Sequence, residues 1–248
     1  MDKLAISGLL ITFGSLIIGQ WLGGGSLTLL LNAHALLIVL GGTLGAVMLQ
    51  TPWPIFRGAF QHLHWVFVPP RYDYRLLAQK LYQLGNLVRK EGFLSLEAQS
   101  SDEEDRLCRQ GLTLLIDGIE PQILREVLEQ QMDMEQEQLE RYASIYESMG
   151  GYSPTIGILG AVLGLIQAMS FLATPDQLGN GIAVAFVATI YGVGFANLIF
   201  LPIANRLRQL FYQYSIYQEM IIVGLASIAI GESSLTLARR LNIFIPES

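Results

Sequence analysis

The stretch from residue 153 to residue 201 decides the fold. It reads SPTIGILGAVLGLIQAMSFL (153–172), then ATPDQLGNG (173–181), then IAVAFVATIYGVGFANLIFL (182–201). A helix rises about 1.5 Å per residue, so about 20 apolar residues cross the hydrocarbon core of a bilayer. Both outer segments reach that length, and the only charged side chain, Asp176, lies in the polar turn 174–180. The pattern predicts two transmembrane helices joined as a hairpin.

The two helices of this hairpin offer hydroxyl and amide groups but no ionisable group. Thr189, Tyr191 and Asn197 lie on the second helix, and neither helix contains a carboxylate, lysine, arginine or histidine. Such a hairpin can line an ion path but cannot itself take up and release a proton, so a titrating carboxylate has to come from another chain. Pro154 and Pro202, at opposite ends of the hairpin, each remove a backbone donor and create a bend point. Each proline is either a fixed kink or a hinge that moves during a working cycle.

The composition is that of a multi-pass membrane protein with a soluble part. Of 248 residues, 52% are hydrophobic and 15% are charged, and the mean hydropathy is +0.43. The net charge of −6 gives no indication of a basic face for nucleic acid. Cys108 is the only cysteine, which excludes an internal disulfide and a thiolate metal cluster, and we expect it to be buried or half-buried. No nucleotide-binding loop, zinc-hydrolase motif or nucleophile elbow is present, so the sequence does not indicate an enzyme.

The sequence predicts an all-α membrane protein with four transmembrane helices. A helical cytoplasmic domain lies between helices 2 and 3, and a helical cytoplasmic tail follows helix 4. Helices 1 and 2 are expected at about 4–21 and 30–50, the second ending before Pro52. The predicted segments are 1–54 (helices 1 and 2), 55–151 (cytoplasmic domain), 152–205 (helices 3 and 4) and 206–248 (tail).

Local patterns predict further helices in the domain and the tail. Apolar residues recur at helical spacing from Leu76 to Val88, and Pro121 favours the first position of another helix. The Ser-Asp-Glu-Glu run 101–104 is typical of a helix start that leads into 107–116. The apolar run 220–230 spans only about half a membrane, so we predict a helix packed against the loop domain or a neighbouring subunit. A fifth span is the weaker alternative.

The distribution of positive charge predicts the topology. All fifteen Lys and Arg residues fall at the start of the chain, in the long loop or in the tail. The connections 21–29 and 174–181 contain none. By the positive-inside rule, both termini and the long loop are cytoplasmic, and the two short connections are external.

Small residues predict where the membrane helices approach closely. Without a hydrophobic drive inside lipid, close packing holds helices together, and ordinary tight packing is the simplest interpretation of these residues. They are Gly41, Gly42 and Gly45 on helix 2, Gly157, Gly160, Ala161 and Gly164 on helix 3, and Gly192 and Ala196 on helix 4.

In combination and order, several motifs resemble the MotA/PomA family of flagellar motor stator proteins over essentially the whole chain, and MotC-type members most. These motifs are Gly41-Gly42-Thr43, Arg89-Lys90-Glu91-Gly92 followed by Leu96-Glu97, Asp117-Gly118, Ser153-Pro154-Thr155-Ile156-Gly157, the run 160–165, Ala188-Thr189-Ile190-Tyr191-Gly192, and the run 197–202.

The resemblance implies a function and a set of partners. Several copies, a homopentamer by this resemblance, would surround a dimer of a single-span MotB-like subunit in the bacterial inner membrane. The partner's membrane aspartate would carry the ion, and ion flow would drive the ring against the flagellar rotor switch protein. The family's rotor-contact charges fall on Arg89 and Glu97, with Lys90 and Glu91 beside them. Mixed charges on a cytoplasmic helix suit rapidly exchanging, salt-sensitive contacts.

The residues of the predicted ion path favour protons over sodium. Sodium-type members of the family resemble this chain but carry threonine where Ala161 and Ala188 stand, beside a threonine that matches Thr189. Sodium needs several oxygen ligands and methyl groups supply none, whereas a proton needs only a titrating acid and a chain of hydroxyls or water. We therefore expect an ion path at Thr189, Ala161, Ala188 and Tyr191, with protons as the coupling ion and no metal or organic cofactor.

Two alternatives stay open at the level of sequence. An ExbB/TolQ-like energiser also surrounds a single-span partner, but such proteins usually have three spans. A static membrane scaffold or a self-contained channel would need no partner aspartate.

Overall fold

The computed structural model describes residues 3–24, 30–171 and 175–245, and this part of the chain contains helices and no strand. Turns of π-helix, Leu37–Gly41 and Ala196–Phe200, join α2 to α3 and α9 to α10, and short 3-10 turns occupy Leu63–Val66 and Phe93–Leu96. The α-helices are α1 (Lys3–Leu22), α2 (Ala33–Leu36), α3 (Gly42–Gln50), α4 (Trp53–His62), α5 (Tyr74–Glu91), α6 (Glu97–Ser101), α7 (Arg106–Ile116), α8 (Pro121–Met169), α9 (Pro175–Phe195), α10 (Leu201–Ile230) and α11 (Ser234–Asn242). The all-α prediction is confirmed for these residues.

Within the described ranges, three helical stretches are long and apolar enough to cross a membrane. They are Ala33–Gln50, Pro121–Met169 and Gly181–Ile230. The apolar part of α1, Ile6–Leu22, is shorter than each of these three stretches. Membrane-compatible helices are therefore observed, while a fourth span and the cytoplasmic position of the loop domain stay predictions.

The long helices begin and end at places that differ from the predicted ones. Helix α8 begins at Pro121, as predicted, but it continues through Pro154 instead of restarting near residue 153. Helix α9 begins at Pro175, so the polar segment predicted as a turn is largely helical; proline fits the first helical position because its missing N–H has no intrahelical acceptor there. The run 220–230 is the last part of α10 and not a separate helix.

Helices α5 and α7 show how packing decides details that sequence patterns leave open. Leu77, Leu81 and Leu84 are buried on α5, but Leu76, which shares the predicted apolar pattern, is exposed. Helix α7 begins after Asp105, whose Oδ1 accepts a hydrogen bond from the Cys108 N–H at 2.9 Å. The predicted helix start at 101–104 is therefore wrong, because the capping carboxylate belongs to Asp105.

The chain forms two compact units, 1–69 with 140–209 and 70–139 with 210–248. The second unit joins much of the predicted cytoplasmic domain to the end of α10 and to α11. Its core is built from leucines, isoleucines and Met220, and it includes the buried Cys108, as the sequence predicts. Helices approach closely at Gly111 and Gly224, where a Cβ would lie 2.3 Å from Leu225 Cδ1 and 2.6 Å from Leu81 Cδ1. The apolar run 220–230 thus packs against α5 and α7 inside this unit.

In the first unit, α4 packs against α8 through aromatic side chains. A Cβ on Gly58 would lie 2.3 Å from the Tyr142 ring, and the Tyr146 hydroxyl donates to the Ala59 carbonyl at 3.1 Å. These contacts fix the segment that directly follows the α2–α3 stretch.

Candidate functional site

Helices α8 and α9 pack backbone against backbone through their small residues. A Cβ on Gly157 would lie 2.9 Å from the Ala188 carbonyl oxygen, and one on Gly192 would lie 2.7 Å from the Ser153 carbonyl oxygen. Gly164 meets the backbone of Ala185 at 2.8 Å in the same way. The predicted close approach is therefore observed along this pair of helices.

The small residues of the second predicted helix behave unequally. A Cβ on Gly42 would lie 2.8 Å from Ile156 Cγ2, so α3 approaches α8 at this position. At Gly41 and Gly45, no atom of the described residues lies within 4 Å of such a Cβ. The face formed by Gly41 and Gly45 is open in this chain, and the close packing predicted for it is not observed there.

The three predicted ion-path residues Thr189, Ala188 and Ala161 differ in exposure. Thr189 is half-buried and its Oγ1 donates to the Ala185 carbonyl at 3.2 Å, which satisfies the hydroxyl on the preceding turn. Ala188 is fully buried; a Cβ on Gly160 would lie 3.0 Å from its methyl group. Ala161 is half-buried on α8. The side chains of Thr189 and Ala188 therefore face different surroundings.

Thr189 borders a groove on the outer side of α9. The groove has a volume of about 370 Å³ and contains one polar residue besides Thr189, the exposed Asn197. Asn197 Nδ2 donates to the Val193 carbonyl at 3.0 Å, a bond that does not use the acceptor capacity of its side-chain carbonyl oxygen. The remaining lining is apolar: Ile190, Val193, Gly194 and Leu198. A polar pair in an otherwise apolar groove suits contact with a second protein chain better than contact with lipid tails.

Tyr191, also predicted on the ion path, is held by the start of the α2 segment. Its hydroxyl donates to the Leu30 carbonyl and accepts from the Asn32 N–H at 3.2 Å. Its ring stacks on Phe195 with centroids 5.6 Å apart. Through these hydrogen bonds, Tyr191 connects α9 to the residues that precede α2.

The two predicted hinge prolines lie in different backbone environments. Pro154 lies inside the continuous helix α8. Pro202 lies two residues after the end of the π-helical turn Ala196–Phe200, where the hydrogen-bond register shifts from i−4 to i−5. In an ordinary α-helix, residue 202 would donate its N–H to the Leu198 carbonyl, but Pro202 has no N–H to donate. The π-turn therefore lies where that carbonyl would otherwise have no α-helical partner. The sequence indicated the prolines but not the π-turn.

Thr43 and Ser153 carry buried hydroxyl groups that the sequence patterns did not indicate as functional; both residues were noted only as members of longer motifs. Both side chains are fully buried, and neither hydroxyl has a hydrogen-bond partner within the described residues. A buried hydroxyl without a partner costs free energy, so each retains capacity for a water molecule or a neighbouring chain. Nothing in the local sequence distinguishes them from the hydroxyls that bond to their own helix.

The four predicted rotor-contact residues lie at the end of α5 and the start of α6. Lys90, Glu91 and Glu97 are exposed and form no ion pair among the described residues. Arg89 is exposed too, but its guanidinium donates to the Glu232 carbonyl and to Asn86 Oδ1, each at 2.9 Å. No cluster of three or more His, Cys, Asp or Glu side chains able to hold a metal ion occurs in the described ranges.

The sequence matches two protein families. Residues 6–92 match the Motility protein A N-terminal family, and residues 99–220 match the MotA/TolQ/ExbB proton channel family. Motility protein A of Bacillus subtilis is 30% identical over 99% of this chain and 92% of its own length.

Two solved structures are similar over nearly the full length. The structure of C. jejuni MotAB matches with a TM-score of 0.93 and 27% identity, covering 100% of this chain and 97% of that one. The flagellar MotAB stator complex of Bacillus subtilis matches with a TM-score of 0.88 and 30% identity, covering 99% and 96%. Both similarities cover the α8–α9 pair and the charged end of α5.

Proposed function

The chain belongs to the motility protein A family of flagellar motor stator proteins, and we propose that it conducts protons only together with a MotB-like subunit that carries a membrane aspartate. It is a stator protein of the flagellar motor, related to proton channels, and not an enzyme. The match of residues 6–92 to the motility family favours this function over an ExbB/TolQ-like energiser, because the other matched family includes both groups.

The observation that carries the proposal is the chemistry of the α8–α9 pair. Its helices pack through glycine and alanine, and residues 153–201 contain one carboxylate, Asp176 at the start of α9, and no lysine, arginine or histidine. Proton transport nevertheless needs a group that binds and releases a proton within the membrane. That group belongs to the partner, and its aspartate approaches the groove where Thr189 and Asn197 are the only polar residues among those described.

Protons are the coupling ion in this proposal. Ala161 and Ala188 provide methyl groups at positions where sodium-type members provide hydroxyls, so the α8–α9 pair offers fewer oxygens to replace the water of a sodium ion. The burial of Ala188 against Gly157 and Gly160 supports this, since an oxygen added there would face a packed backbone. Pro154 and Pro202, with the π-turn before Pro202, would act as hinges that bend as the partner's aspartate changes charge.

The assembly follows from the same proposal. Several copies of this chain, five by resemblance to the family, surround a dimer of the partner in the bacterial inner membrane, with both termini in the cytoplasm. The end of α5 and the start of α6 then contact the rotor switch protein through Arg89, Lys90, Glu91 and Glu97. Steered contacts between exposed charges exchange rapidly, which suits a motor that steps repeatedly along its rotor.

Proton flux in reconstituted vesicles tests the proposal. We expect flux from vesicles that contain this chain with its MotB-like partner freed of any segment that blocks the pore. We expect none with the partner's membrane Asp replaced by Asn, and none with this chain alone. Selective flux from this chain alone, or from the complex with the Asn variant, would contradict the proposal.

A further inference from the structure

Arg89 differs from its charged neighbours because its guanidinium is used inside its own chain. Nη1 donates to the Glu232 carbonyl oxygen and Nη2 to Asn86 Oδ1, both at 2.9 Å. Lys90 and Glu91, the next residues along α5, have exposed side chains without an ion pair in the described ranges. The charges at this end of α5 are therefore not equivalent.

The carbonyl that Arg89 binds belongs to the corner between α10 and α11. Gly231 has a φ of +77°, its N–H donates to the Ile228 carbonyl at 3.0 Å, and the Glu232 N–H donates to the Ser227 carbonyl at 3.1 Å. This pair of bonds is a Schellman motif, which ends α10 and turns the chain sharply. Ser233 then caps α11, its Oγ accepting from the Thr236 N–H at 3.3 Å.

Further contacts hold this corner and α11 against α5. Arg240 donates to the Glu232 carboxylate at 2.7 Å, and the Ser234 hydroxyl donates to Asn86 Oδ1 at 3.1 Å. Beneath them, the buried Leu237 packs so close to α5 that a Cβ on Gly85 would lie 3.0 Å from its Cδ2. Asn86 thus accepts from both Arg89 and Ser234, and it links the two helices.

We propose that Arg89, besides offering its exposed charge to the rotor, is a positioning residue, which fixes the α10–α11 corner so that Lys90, Glu91 and the exposed Arg239 of α11 present one charged surface to the rotor. This inference rests on the proposed function, which places the end of α5 at the rotor. Arginine is required because its planar fork reaches two separate oxygens at once. A lysine at this position keeps the charge but has a single nitrogen, so it cannot place two separate donors where Nη1 and Nη2 stand.

Substitutions that separate charge from geometry test this role in cells that carry the full stator complex. The quantities measured are the amount of complex in the membrane, the number of stator units recruited to each motor, and the torque per unit. We expect Arg89→Lys and Asn86→Ala each to lower recruitment or torque at an unchanged amount of complex, although neither removes a charge from the surface. Arg75→Lys, an exposed arginine on the first turn of the same helix, is the matched control and should behave as the unmodified chain.

The possible results are distinguishable. Full torque with Arg89→Lys or with Asn86→Ala would overturn the positioning role. A smaller amount of complex in the membrane, with unchanged recruitment per complex, would overturn it as well. The charge reversals Lys90→Glu and Glu97→Lys test the underlying assignment separately. If both leave recruitment and torque unchanged, this face does not meet the rotor, whatever the result at Arg89.

Discussion

At the scale of single residues, Cys108 shows how neighbours set the chemistry of a side chain. It is 1% exposed in the core of the second unit, and burial together with the nearby Glu103 raises the pKa of its thiol. Burial alone would also raise the pKa of Glu103, but hydrogen bonds from Lys80, Cys108 and the Asp105 backbone hold that pKa below its usual range. The carboxylate therefore stays ionised while the thiol stays protonated.

We predict that Cys108 resists thiol reagents in the folded complex. Only the thiolate reacts rapidly, and both the raised pKa and the burial suppress its reaction at pH 7 to 8. Maleimide labelling of the purified complex should be slow without denaturant and complete in denaturant. A Met134→Cys variant, whose position on α8 is exposed, should label rapidly without denaturant and serves as the control. Rapid labelling of Cys108 itself in the folded complex would contradict the prediction.

A second prediction concerns the closest approach of α8 to α9. Gly157→Ala places a methyl group 2.9 Å from the Ala188 carbonyl oxygen and 3.0 Å from Gly192 Cα, both rigid backbone atoms. Overpacking of this kind costs roughly 1–3 kcal/mol. Thermal unfolding of the purified complex should show this loss for Gly157→Ala but not for Gly151→Ala, since no atom lies within 4 Å of a Cβ at Gly151 among the described residues. Equal stability of the two variants would mean that the helices do not meet at Gly157.

Residue-level features were predictable where they depend on local chemistry. The burial of Cys108 and the small-residue packing at Gly157 follow from side-chain size and polarity. The partners of Tyr191 and Arg89 did not follow, because the Leu30 and Glu232 carbonyls lie far away in sequence. Backbone carbonyls are the same at every position, so no pattern of residue types indicates which one a distant side chain will bind.

At the scale of helices, the sequence predicted their existence better than their ends. The apolar spacing of α5 and the proline at the start of α8 were sufficient signals. The continuity of α8 past Pro154, and of α10 to Ile230, was not predictable, because a proline inside a helix can either end it or bend it. Packing with other elements decides between those outcomes.

Helices α8 and α10 are clamped together by one arginine. Arg208 Nε and Nη2 lie 2.5 Å from Glu140 Oε1 and Glu147 Oε2, two carboxylates on one face of α8. We predict that Arg208→Ala lowers the stability of the complex by about 1 kcal/mol, a value limited by the partial exposure of all three side chains. Because salt screens exposed charges, this loss should shrink in thermal unfolding at high ionic strength.

The matched control for this clamp is the pair within one helix formed by Arg125 and Glu129, at 2.7 Å. Arg125→Ala should cost only about 0.3–0.5 kcal/mol, since an i,i+4 surface pair links no separate elements. If Arg125→Ala destabilised the complex as much as Arg208→Ala, the clamp would have no special part in holding α8 to α10.

At the scale of the whole molecule, charge distribution predicts more than any single contact does. The short apolar run 220–230 indicated packing against the loop domain or against a neighbouring subunit, and the structure shows the first of these; no pattern indicated the shared core of 70–139 and 210–248 in detail, because its contacts join segments far apart in the chain. The side of the membrane on which each segment lies is a different matter, since insertion depends on the local number of lysines and arginines. Topology is therefore the property of this chain that is most open to a direct test.

Labelling of single-cysteine variants with an impermeant maleimide measures that topology. In a background with Cys108→Ser, Leu31→Cys lies just before α2, next to the connection without positive charge, and Met134→Cys lies in the arginine-containing loop domain; both positions are well exposed. We expect Leu31→Cys to label in right-side-out spheroplasts and Met134→Cys to label only after permeabilisation. The reverse pattern would place the loop domain outside and remove it from the rotor, whereas labelling of both in intact spheroplasts would indicate an even number of crossings between them.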